Sequence, residues 1–218
     1  MKIKLAGIAL SVAMLTTGVA GAVDLDPKFY VGGELQGNHY TSAKKVKGKD
    51  TTGAEVTMKS GKKAFLGKSG MGGSAIVGTR LNDNLALELG FNPMSGGKVA
   101  KKDAATTAIF DASGMKAKHQ NIYADAIGLL PVSPEVDLVG SIGVGRLHSK
   151  LSGTVKSAAL AYNQKVTAKS TKVGARVGAG IQYKINDTIS ARAMLRRQQG
   201  NKIVKSVNSL GLGILVSL

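Results

Sequence analysis

Apolar and polar residues alternate with a period of two along much of this chain. In residues 80–91, RLNDNLALELGF, Leu85, Leu87, Leu89 and Phe91 occupy one parity, and Ala86, Glu88 and Gly90 the other. Successive side chains of a β-strand point to opposite faces, so one face here is greasy and the other carries a carboxylate. The same alternation predicts strands near residues 29–40, 71–81, 120–130, 136–144, 173–185, 189–195 and 204–218. In the first of these Val31 and Leu35 oppose Glu34 and Gln36. In the last, Leu210, Leu212, Ile214, Val216 and Leu218 oppose Ser209, Gly211, Gly213 and Ser217. Ile76 breaks the pattern of the 71–81 segment. Together with residues 85–91 these segments predict eight strands, an even number that suits an antiparallel barrel with both termini at one end.

The connections alternate in length. Short turns at Asn82-Asp83-Asn84, Pro131 to Glu135 and Asn186-Asp187 join the second strand to the third, the fourth to the fifth and the sixth to the seventh. Asn and Asp tolerate the left-handed backbone that tight hairpins use. The stretches 41–69, 93–118 and 147–171 are predicted as long loops on the opposite rim, where only the final hairpin, near 198–202, is short. Short turns on one rim and long loops on the other are the layout of a transmembrane barrel.

Parity alone does not say which face is outside. A soluble barrel of the lipocalin kind would have an apolar lumen and a polar exterior, whereas a membrane barrel reverses this. Ionisable residues of both signs recur on the polar parity: Glu34, Arg80, Glu88, Asp125, Asp137, Arg176, Lys184, Arg192 and Arg196. Facing lipid at midplane, an Arg or Lys would cost about 2–4 kcal/mol, so in a membrane barrel these groups must fill the lumen and pair there. The first residues favour export. Lys2 and Lys4 precede an apolar run from Leu5 to about Thr16 and an Ala20-Gly21-Ala22 site, which reads as a signal peptide (1–22) cleaved after Ala22. Residues 23–218 then form one barrel domain. No other apolar run is long enough for a transmembrane helix, and the chain has no cysteine, which excludes disulfides and thiolate chemistry.

Several stretches in order, YVGGELQ, GTRLNDNLALELGF, NIYADAIGLLP, VDLVGSIGVG, VGARVGAGIQYKINDTISARAMLRR and SLGLGILVSL, make the chain resemble the OmpA-like family of small outer-membrane β-barrels, the porin-like or opacity-type surface proteins. The resemblance implies an eight-stranded up-and-down barrel in a Gram-negative outer membrane, with long loops extracellular. It also implies insertion by the outer-membrane assembly machinery, which reads the last strand and hence Leu210, Leu212, Ile214, Val216 and Leu218. Family members usually end in an aromatic residue; here Leu218 stands in that place.

Charge adds the candidate chemistry. The formal net charge is +17, and the first long loop carries Lys44, Lys45, Lys47, Lys49, Lys62 and Lys63 among its lysines, against only Asp50 and Glu55. Such a surface attracts polyanions in a salt-dependent way. The expected partners are outer-membrane lipid and lipopolysaccharide, and host surface polyanions or matrix proteins; no nucleic acid is expected, and a monomer is. The expected function is a non-enzymatic surface protein, structural and adhesive, with a narrow passive pore as the alternative. A lipid-modifying enzyme is a third class, but the histidines are only His39, His119 and His148. Ser149 follows His148, and sequence neighbours on a strand point to opposite faces, so that pair makes no dyad. No cofactor or metal is expected.

Overall fold

The computed structural model describes residues 28–43, 45–59, 69–96, 116–157 and 162–218. Eight long antiparallel strands close into a barrel: β1 (Lys28–Ser42), β4 (Ser69–Arg80), β5 (Leu85–Ser95), β6 (Lys116–Pro131), β7 (Val136–Ser157), β8 (Tyr162–Lys184), β9 (Ile189–Gln199) and β10 (Val204–Ser217). Each pairs with its neighbours in sequence, and β1 closes against β10, so no strand edge is left over within the barrel wall. Two further short strands, β2 (Lys45–Lys49) and β3 (Glu55–Lys59), form a hairpin that joins the free edge of β8 at Lys49–Thr167. Its turn is held by Asp50, whose Oδ1 accepts from Thr52 N and Ala54 N, with Gly53 at φ 88°.

The apolar parity faces outward. Leu35, Ile142, Leu195 and Leu212 stand 74%, 68%, 62% and 62% exposed on the outer wall, while Glu88 and Arg192 on the other parity are 2% and 3% exposed. This polarity is the reverse of a water-soluble barrel. The short turns occupy residues 81–84, 132–135 and 185–188. Asn side chains organise two of them: Asn82 Oδ1 accepts from Asn84 N at 2.9 Å, and Asn186 Oδ1 from Ile189 N at 2.7 Å.

On the other rim the structure corrects the expected loops. Residues 147–171 are mostly strand: β7 and β8 stay paired in register from Val136–Tyr183 to Ser157–Tyr162. Within 41–69, β2 and β3 replace part of the expected loop. The sequence pattern hid this because the polarity inverts partway along the strands. Beyond His148 the inward residues become apolar, Leu151, Val166 and Ala168, and the outward ones become lysines, Lys150 and Lys169. The outward apolar signal therefore stops while the strand continues. Of the third expected loop, residues 97–115 lie outside the described residues, as do residues 1–27, which contain the expected signal sequence and its Ala22 site.

Two apolar clusters occupy the two ends of the lumen. At the turn end Tyr30, Ile76, Ile127, Leu129, Val139 and Leu215 pack together with Met194, which explains Ile76: it belongs to a floor of the lumen. At the other end Tyr40, Met94, Leu147, Leu151, Val166, Ile203 and Val207 pack with Val46 of the β2–β3 hairpin. Between them, side chains and glycines of facing strands come into close contact. Tyr123 lies directly opposite Gly90 across β5–β6, and a Cβ on Gly90 would sit 2.1 Å from Tyr123 Cζ. That ring is fixed from two sides, by Ser74 Oγ 2.9 Å from its hydroxyl and by the Arg176 guanidinium 3.8 Å from its centroid. Gly90→Ala should therefore cost about 1–3 kcal/mol by overpacking. Gly128→Ala, where an added Cβ meets nothing within 4 Å, should stay within about 0.5 kcal/mol of the parent. Urea midpoints of the refolded proteins check both.

Candidate functional site

Between the two apolar clusters lies a charged layer built from five strands. Glu34 projects inward from β1, Glu88 from β5, Asp125 from β6, Arg176 from β8, and Arg192 and Arg196 from β9; all six are buried. Alternation on each strand puts them on the lumen face, and closure of the barrel through β10 sets β9 two strands from β1. Arg196 donates through Nη1 and Nη2 to the two oxygens of Glu34, at 2.6 and 2.8 Å. Arg192 grips both oxygens of Glu88 and reaches Glu34 Oε1 at 3.2 Å, which makes one continuous network. Tyr30 donates its hydroxyl to Glu88 at 2.8 Å, and Gln36 its amide to Glu34 at 3.0 Å. Arg176 forms a separate pair, Nε to Asp125 Oδ2 at 2.7 Å.

Arg80 stands apart from this layer. It is at the turn end, partly exposed, 3.9 Å from Asp137, whose other oxygen lies 3.2 Å from Lys184. Its position on the last residue of β4 carries it past the apolar floor to the rim.

Above the charged layer the lumen is polar but uncharged. Asn121 and Gln198 exchange two amide hydrogen bonds at 2.7 and 2.9 Å. Higher still, His119 Nδ1 lies 2.8 Å from Ser149 Oγ, directly across β6–β7, and Asn201 donates to the same Oγ at 3.0 Å. The sequence showed no dyad at His148–Ser149, and the imidazole that meets Ser149 comes from a strand 30 residues away. Only the inter-strand register could have revealed it. Among the described residues His119 Nε2 has no hydrogen-bond partner and no carboxylate orients the ring, and Ser149 and His119 are 0% and 2% exposed within the apolar cap. A nucleophile needs a base on a route to substrate; this pair is packed away from one.

The basic residues lie on the outside of the extended end. Lys45, Lys47 and Lys49 alternate with buried Val46 and Gly48, so all three face solvent from one side of β2. Lys47 pairs with Glu55 at 3.3 Å. Lys44, Lys62 and Lys63 lie outside the described residues. On the last strand Leu210, Leu212, Ile214 and Leu218 face outward and Val216 is partly covered.

The sequence model of the outer membrane protein beta-barrel domain matches residues 7–214. The chain belongs to this family. Its fold is shared by solved outer-membrane barrels at low identity. Neisserial surface protein A is 16% identical with a TM-score of 0.54, over 87% of this chain and 97% of that one. A major outer membrane protein from Thermus thermophilus is 15% identical at 0.52, over 88% and 100%, and OprG from Pseudomonas aeruginosa is 12% identical at 0.51, over 90% and 98%. No curated protein matches the sequence.

As an outer-membrane barrel, the chain sets its outward apolar band in hydrocarbon, from Phe29, Leu85, Leu130 and Leu218 at the turn end to Leu35, Ile122, Val173 and Leu195 at the other. The charged layer then lies inside the lipid-embedded length of the barrel, where arginine–carboxylate pairing removes the cost of isolated charge. β6, β7 and β8 continue beyond the band as a sheet with an ordinary apolar inner face.

Proposed function

We propose that this outer-membrane barrel is a non-enzymatic surface protein whose extended end lies outside the cell and binds anionic partners, envelope or host polyanions, through its basic hairpin. In this reading residues 1–22 direct export and are removed after Ala22, and the outward Leu and Ile residues of β10 are read by the assembly machinery. The observation that carries it is the filled lumen. Ion pairs and two apolar clusters occupy the interior, which argues against a passive pore and leaves the extension as the surface able to meet a partner. Its β2 strand presents Lys45, Lys47 and Lys49 on one solvent face, where Lys47 pairs with Glu55. The buried Ser149–His119 pair supports the non-enzymatic reading, because substrate has no access to it.

Changing Lys45, Lys47 and Lys49 together to Gln should weaken binding to immobilised heparin by about tenfold or more, a loss of roughly 1.4 kcal/mol. The difference should shrink as salt is raised. Unchanged affinity would discard the hairpin as the binding surface.

A further inference from the structure

A second basic surface lies on the outer wall itself. Across three adjacent strands Lys118 of β6 sits directly opposite Lys150 of β7, which sits directly opposite Lys169 of β8. All three are exposed on the outward face. Like charges directly opposite on neighbouring strands repel, and a sheet that sets three in one row loses stability unless an anion lies between them. None of the three strands supplies one there. The only carboxylates on β6, β7 and β8 are Asp125 and Asp137, and both are buried in the lumen.

The height of the row identifies what can supply the anion. Going from the apolar band outward, the rows of this wall read Ala124–Val144–Ala175, then Ile122–Arg146–Val173, then Gln120–His148–Thr171, then the three lysines. In the third row His148 Nδ1 is 2.7 Å from Thr171 Oγ1. Each lysine is four residues beyond the last apolar row, about 10 Å along the barrel axis at a rise of ~3.3 Å per residue and a tilt of ~40°. A lysine stem can bend its ammonium back toward the membrane by several ångströms, to the depth of the headgroup layer. Arg146, exposed beside Ile122 and Val173, adds a guanidinium at the hydrocarbon edge.

We infer that Lys118, Lys150 and Lys169 form an outward row, at the edge of the headgroup layer, that holds the phosphate groups of an outer-leaflet glycolipid. The assignment rests on the extended end being outside the cell, as proposed above, and not on the polyanion affinity of the β2 hairpin. Phosphates between the ammonium groups neutralise the row, while the acyl chains of the same lipid lie against Ile122, Val144 and Val173 beneath it.

The full barrel, refolded in detergent, can be titrated with bisphosphorylated lipid A, with lipid A stripped of phosphate, and with phosphatidylglycerol. Wild type is expected to prefer the bisphosphorylated form. The combined change Lys118→Gln, Lys150→Gln and Lys169→Gln is expected to lower that affinity by about 100-fold. The matching three Lys→Arg changes, which keep the charges, should retain it, and the β2 lysine changes should leave it within about twofold. Lipid A affinity within twofold of wild type in the Gln variant would overturn the row, as would equal binding of phosphate-free lipid A. Equal binding of phosphatidylglycerol would overturn the glycolipid as its partner. Orientation is read separately by a membrane-impermeant maleimide on whole cells, because the chain has no cysteine and Ser152→Cys on the extension gives a single label. Labelling supports the outward placement; protection of that cysteine would overturn the placement and leave the lipid A result standing alone.

Discussion

Glu34→Gln is expected to be the most damaging conservative change in the barrel, costing about 3–5 kcal/mol. Glu34 receives two hydrogen bonds from Arg196 and one from Arg192. Arg192 keeps Glu88 when Glu34 is neutralised, but Arg196 has no second carboxylate among its hydrogen bonds and is left as a buried, unpaired cation. Size is preserved, so a loss of this magnitude is electrostatic and not a cavity effect. Pairing the change with Arg196→Met removes the stranded charge and should restore most of the stability, an interaction a double-mutant cycle isolates. The readout is the urea midpoint of the barrel in lipid vesicles, followed by the shift in electrophoretic mobility on unfolding. A single-variant loss below about 1 kcal/mol would mean that water reaches Arg196 and that the layer is not sealed.

The second large effect is expected on the opposite face. Leu212→Arg should cost about 2–4 kcal/mol, because Leu212 is on the outer wall of β10 within the apolar band and an arginine there must face hydrocarbon. The same substitution at Lys205, at the far end of β10, should be close to neutral, since that outward position is already a cation. Equilibrium unfolding in vesicles of fixed thickness separates the two. Equal costs would remove the assignment of the band to lipid.

The fold was legible where one strand face meets a uniform solvent. Residues 85–91, 136–144 and 189–195 keep apolar residues on one parity because that face meets hydrocarbon, and the structure puts Leu89, Ile142 and Leu195 outside. The inward parity of Glu34, Glu88, Asp125, Arg176, Arg192 and Arg196 was legible for the same reason, whereas Arg80, on the same parity of β4, stands at the rim beside Asp137. Which residues pair was not: Glu34 meets Arg196 across 162 positions in sequence, and that choice depends on register and on how the barrel closes. Ile76 looked like an error in the pattern because the lumen is not polar throughout; its floor is apolar. The His119–Ser149 contact was invisible because two residues on different strands become neighbours only through the β6–β7 register.

The inversion of polarity along β7 and β8 has a consequence for how the hairpin finds its alignment. Sliding one strand by a single residue would turn Ile142 into the lumen and, in the same motion, turn Leu151 out to water and draw Lys150 under the apolar cap. Two errors of opposite kind, in two different media, would arise together. The hairpin is thus keyed twice along one length, and a mispaired version cannot relieve its strain in lipid by hiding its mistake in water.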